Sequence, residues 1–108
     1  MTLLEMAGQL QLKTIHCTEE GASVTGCYIG DLLSLVMSRA QEGQAWLTVQ
    51  TNINIIAVAV LTGVSCVIVT EGMEIPEETA QKAAEQGVSL FHSEKPSYQL
   101  ACELAALL

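Results

Sequence analysis

Residues 45–72 read AWLTVQTNINIIAVAVLTGVSCVIVTEG, and the order of apolar and polar blocks in this stretch decides the fold. Ala45 to Val49 includes Trp46, Leu47, Thr48 and Val49, aromatic and β-branched residues that suit a pleated, buried surface. Thr51 and Asn52 follow, with side chains able to accept hydrogen bonds from the free N–H groups of a helix. From Ile53 to Leu61 only Asn54 is polar. A surface helix shows one apolar stripe, so a helix apolar nearly all round is expected to be covered on every side. Gly63 supplies the left-handed residue that ends many helices. Cys66-Val67-Ile68-Val69 is a short continuous apolar run, the pattern of a strand buried on both faces. Strand, crossover helix and parallel strand make a βαβ unit, right-handed almost without exception. The rival reading, a membrane span over 53–69, fails. The run is short, Asn54, Thr62, Gly63 and Ser65 interrupt it, and no basic residues flank it.

The rest of the chain extends this unit. Residues 2–9 place Leu3, Leu4, Met6 and Ala7 at helical spacing. Leu10 to Ile15 alternates as a first strand with His16-Cys17-Thr18 at its end, and Glu19-Glu20-Gly21 turns the chain. Ser23 to Tyr28 reads as a weaker strand at an edge. Asp31 caps the next helix, in which Leu32, Leu33, Leu35, Val36 and Ala40 form the buried face, with Ser34, Ser38 and Arg39 outward; Glu42-Gly43 stops it. After Glu71-Gly72, Pro76 opens a helix at the position where its missing N–H is harmless. Glu77 and Glu78 suit the positive end of that helix, and Gly87 closes it. Val88 to Phe91 is a short strand, and Pro96-Ser97 open a final helix lined by Leu100, Leu104, Leu107 and Leu108. Alternating strands and helices with short connections predict one α/β domain over residues 1–108, three layers deep (α/β/α), with a mostly parallel sheet of four or five strands.

Composition narrows the function. Among 108 residues, half are hydrophobic and 15% charged, which excludes a disordered chain. Twelve acidic against four basic residues give a net charge of −8. Nucleic-acid and anionic-membrane partners are therefore disfavoured, since Lys13, Arg39, Lys82 and Lys95 are few and scattered. MTLLEMAGQLQL lacks a basic n-region and a cleavage site and carries Glu5, so it is not a signal peptide, and a cytoplasmic chain with reduced cysteines is expected. Cys17, Cys27, Cys66 and Cys102 form no CxxC pair; zinc is not expected, and they read as small hydrophobes.

Ligands of open parallel sheets bind outside the carboxyl ends of the strands. Those ends are read as His16-Cys17, Thr51-Asn52 with Asn54, Thr70-Glu71-Gly72, and His92-Ser93. The same groups also suit plain caps and turns. Gly21 and Gly26 have the spacing of a phosphate-binding loop, but Cys27 and Tyr28 replace its Lys and Ser/Thr. His16 and Cys17, adjacent in a strand, point to opposite faces, which disfavours an activated thiol. Glu71, Glu74, Glu77 and Glu78 read as a solvated face rather than a metal site.

The run GCYIGDLLSLVMSRAQEGQAWLTVQTNINIIAVAVLTGVSCVIVTEG, followed by IPEETAQKAAEQGVSLF, resembles the DRTGG domain, which is similar to the N-terminal domain of the HPr kinase/phosphorylase. The family's Asp-Arg turn falls at Thr51-Asn52 and its Thr-Gly-Gly at Thr70-Glu71-Gly72, where Thr70 and Gly72 match. The resemblance implies an accessory domain of the kind appended to enzymes or CBS-domain regulators, with a part in dimer contacts. Residues and resemblance together lead to the expectation of a non-catalytic regulatory module without cofactor or metal. It self-associates as a homodimer through the 53–62 helix and the leucine-rich C-terminal helix. Its ligand, a nucleotide or phosphorylated metabolite, is expected at Thr51, Asn52, Asn54, Thr70, Glu71, Gly72, His92 and Ser93. The alternatives are a docking domain for a larger enzyme or regulator with no ligand of its own and, more remotely, an enzyme using Cys17 and His16.

Overall fold

The computed structural model describes residues 1–18 and 23–108. In chain order the elements are α1 (Leu3–Leu10), β1 (Lys13–His16), β2 (Gly26–Ile29), α2 (Leu33–Arg39), β3 (Gln44–Thr48), α3 (Asn54–Thr62), β4 (Cys66–Val69), α4 (Glu77–Gln86), β5 (Leu90–His92) and α5 (Ser97–Leu107). The quoted stretch is the β3–α3–β4 unit, with Ala45 opposite Cys66 and Thr48 opposite Val69 in parallel register. Every residue of β4 is buried, as its unbroken apolar run requires. Asn52 Oδ1 accepts from Asn54 N at 2.9 Å and starts α3; Gly63 ends it at φ 74°.

The five strands lie in the order β1-β5-β4-β3-β2. Strands β2 to β5 are parallel neighbours, and β1 alone runs antiparallel, against β5. Helices α1 and α5 cover one face over Ala45, Leu47, Cys66, Ile68 and Phe91. Helices α2, α3 and α4 cover the other over Trp46, Val67, Val69 and Leu90. Trp46 is fully buried, and its indole N–H donates to Gly30 O at 2.9 Å, as a buried indole requires. Three α/β/α layers with a mostly parallel sheet are thus present.

Several local expectations change. Leu10 closes α1 instead of opening β1, because Gln11 takes the left-handed conformation that ends the helix. Asp31 does not cap α2. Its Oδ1 accepts from Thr48 Oγ1 and Val49 N, both at 2.9 Å, and so ties the ends of β2 and β3 together. Leu32 and Leu35, expected inside, are exposed. Helix α3 is not covered on every side either: Ile55, Ile56, Val58 and Ala59 are buried, while Leu61 is 72% and Val60 52% exposed. In α5 the reverse holds, with Leu100 and Leu104 fully buried. The expected turn at Glu19-Glu20-Gly21 and the first two residues of the Gly21–Gly26 run lie outside the described residues. Among the described residues no helix is long and apolar enough to cross a membrane.

Candidate functional site

The helices following β2, β3 and β4 all return on one face, whereas α5, following β5, returns on the other. The connections therefore part between β4 and β5, and a crevice at the carboxyl ends is expected where connections diverge in this way. Here the protein fills that crevice itself. Glu71 N donates to Lys95 O at 3.0 Å and Gly72 N to Ser93 O at 2.9 Å. Thr70 Oγ1 and Ser97 Oγ share a hydrogen bond of 2.6 Å. Glu71 Oε2 accepts from Ser97 N at 2.8 Å, so a carboxylate from one loop caps the helix of the next.

The backbone of this staple explains the matching glycine. Glu71 (φ 62°) and Gly72 (φ 67°) are both left-handed, the conformation of the two central residues of a tight turn that Met73 N closes onto Thr70 O at 3.3 Å. A Cβ on Gly72 would also run into the carboxylate of Glu94. Glu71 occupies its left-handed position without being glycine and uses its side chain as the cap on α5.

The candidate residues fall into three sets. Thr51, Asn52 and Asn54 begin α3, and the Thr51 carbonyl accepts from Thr79 Oγ1 at 2.8 Å, which fixes α4 to this turn. Thr70, Glu71 and Gly72 form the staple. His92 and Ser93 border an open cleft of about 360 Å³ together with Gln11, Lys13, Glu94 and Lys95. Lys13 and His92 are cross-strand partners in the β1–β5 ladder, so their side chains project from the same face. Lys95 Nζ donates to Leu10 O at 3.1 Å and to Glu103 Oε1 at 2.7 Å. That bond holds the Glu103 carboxyl below its ordinary value. Lys13 and Lys95 are not among the residues expected at the site, since a strand and a loop at opposite ends of a chain give no local sign of their proximity.

His16 and Cys17 are not at this edge. Because β1 is antiparallel, its carboxyl end lies among the amino ends of the other strands, with His16 opposite Leu90. His16 Nδ1 donates to Val88 O at 3.0 Å, and the Cys17 thiol to Thr18 O at 3.6 Å. Cys17, Cys27 and Cys66 belong to the core under α1 and α5. Burial pushes the Cys27 thiol up to about 11 and Cys66 higher still, so both stay protonated at neutral pH. Among the described residues, no group of three or more His, Cys, Asp or Glu side chains is placed to hold a metal ion.

A larger cavity of about 690 Å³ lies at this amino edge, bordered by Thr18, Thr25, Glu42, Gly63, Ser65 and Ser89, among others. Ser65 Oγ already donates to Gly43 O at 3.0 Å, and Ser89 Oγ accepts from Thr18 N at 3.2 Å. Among the described residues its one charged group is the Glu42 carboxylate, and the C-terminal ends of α3 and α4 add negative character. Size favours this cavity; the available donors favour the carboxyl edge.

Among curated proteins none matches the chain. The fold matches a crystal structure of the CBS and DRTGG domains of the regulatory region of Clostridium perfringens pyrophosphatase, complexed with its activator diadenosine tetraphosphate. The TM-score is 0.77 at 16% identity, over 95% of this chain and 45% of that one. This chain therefore spans less than half the length of that relative. The DRTGG domain model matches residues 6–107, nearly the whole sequence, and the chain belongs to the DRTGG domain family.

Proposed function

We propose that residues 1–108 act as one non-catalytic regulatory module in the cytoplasm, which self-associates as a homodimer and senses a nucleotide or phosphorylated metabolite at the carboxyl ends of its strands. The likeness of its family to the N-terminal domain of the HPr kinase/phosphorylase belongs to the same reading. The regulatory setting rests on the family and on a fold relative that binds a nucleotide activator.

The observation that carries self-association is the face formed by α2 and α3. Leu32, Leu35 and Met37 on one side and Ile53, Val60 and Leu61 on the other stay exposed. A groove of about 450 Å³ runs along α3 beside Lys82 and Gln86 of α4. In a chain of net charge −8 these two helices carry no carboxylate, and Arg39 is their one charge. Two copies meet least repulsion there and bury the apolar surface that one copy leaves open. The C-terminal helix, with Leu100 and Leu104 already spent in the core, contributes less than the sequence suggested. Sedimentation velocity tests this reading. The parent chain is expected to run as a dimer and Leu61→Lys as a folded monomer; a monomeric parent at micromolar concentration refutes it.

Sensing is tested by thermal shift with nucleotides and sugar phosphates, since a ligand of the folded state alone must raise Tm. A second reading has its own support. Asn52, Thr70 and Glu71 are engaged in caps and the staple, as in a docking domain for a larger enzyme with no ligand of its own. A panel without any shift would favour it.

A further inference from the structure

The chain has four Lys or Arg residues and two His, yet Lys13, Lys95 and His92 line one cleft. Such grouping is unexpected in so acidic a chain, and it arises from topology. Antiparallel β1 brings Lys13 to the carboxyl end of β5, and the loop after β5 carries Lys95.

Two of the nearby acids are turned to other partners: Glu71 is bonded to Ser97 N, and Glu103 holds Lys95. Glu94, whose carboxylate lies beside Gly72, borders the cleft as its one uncommitted acid among the described residues. Among the described residues neither Lys13 nor the His92 ring has a hydrogen-bond or ion-pair partner. Lys95 Nζ, with three protons and two partners, keeps one donor free. The imidazole can donate an N–H in either protonation state.

We propose that this cleft binds a phosphoryl group, with Lys13 Nζ and the His92 ring as its donors; Lys95, tied to Leu10 O and Glu103 on the α1/α5 side of the sheet, adds positive charge at the cleft's border. Lys13 and His92, cross-strand partners projecting from one face, offer a phosphate N–H donors side by side, the lysine's a charge-assisted one. At about 360 Å³ the open cleft has room for a phosphate together with part of the molecule that carries it. The inference deepens the sensing reading above and rests on it only for the identity of the biological ligand.

The test is a ¹H–¹⁵N NMR titration of the full chain with inorganic phosphate, ADP and glucose 6-phosphate at constant ionic strength. Amide shifts are expected at residues 11–13 and 92–95. Lys13→Gln, on an exposed strand end, is expected to raise Kd at least about tenfold, as loss of a charged hydrogen bond does. Lys82→Gln, a cation elsewhere on the surface, leaves it unchanged. Response to all three probes supports a site for the phosphoryl group itself; response to one ester alone supports the site and names the source of its phosphate. The proposal falls if none of the probes moves these residues, if Kd is the same in Lys13→Gln, or if Lys82→Gln weakens binding equally. Stabilisation by ADP without shifts at the cleft would overturn this site and leave the sensing reading standing.

Discussion

Helices α3 and α5 are both rich in apolar residues, and the sheet uses them differently. In α5, Leu100 and Leu104 are fully buried, while Tyr98 and Cys102 face out. In α3, Ile55, Ile56 and Ala59 are buried, and a second stripe, Ile53, Ala57, Val60 and Leu61, faces out at the same helical spacing. Helix α5 satisfies its apolar surface within one chain, and α3 has surface left over. A high apolar content thus does not by itself say that a helix will be covered; the second stripe is apolar surface that this chain leaves open.

The same substitution in both helices gives the largest contrast. Leu104→Ala, at a fully buried position, is expected to cost about 2–5 kcal/mol in urea unfolding. Leu61→Ala, measured at a concentration that keeps the chain monomeric, is expected to change stability by less than about 0.5 kcal/mol. Equal losses would mean that α3 is packed inside one chain after all. Next in size is the staple between the two helix layers. Gly72→Ala forces an alanine into a left-handed position at φ 67° and against Glu94, a cost of about 1–2 kcal/mol. Adding Glu94→Ala should recover only the part due to the clash. The smallest effect concerns the Lys95–Glu103 pair, which lies on the α5 side. Its carboxyl sits below the ordinary value of 4.5, so its contribution is complete above that pH and disappears as pH falls through the lower folded value. In an acid titration Glu103→Gln should flatten this part of the curve, and salt should shrink it, as for other exposed pairs.

Much of this was legible in the sequence, and the failures share one cause. The βαβ unit, the glycine ends of α3 and α4 and the Asn52 cap follow from local patterns and appear where those patterns place them. Asp31 was misassigned because a carboxylate before a helix reads as a cap, while its actual partners, Thr48 and Val49, come from another strand. Leu32 and Leu35 were placed inside because apolar spacing marks a face without saying whether the chain covers it. His16 was put at the wrong edge, and Lys13 and Lys95 were missed, because the direction of β1 is set by pairing with β5. No pattern of residues within β1 encodes that partner.

The pairing of β1 also bears on how the chain folds. Strands β2 to β5 each lie beside their neighbour in sequence, so each can be added through one short crossover. The β1 end joins by contacts such as His16 to Val88, 72 residues apart, and closing so long a loop costs entropy before any contact repays it. Such a strand is expected to dock late and open early. Amide protons of Lys13–His16 should exchange with deuterium well before those of Cys66–Val69, and equal protection would contradict this order. The cleft residue Lys13 would then sit on the last strand to arrive, and an anion held between it and His92 would act as a latch that slows the departure of the N-terminal segment.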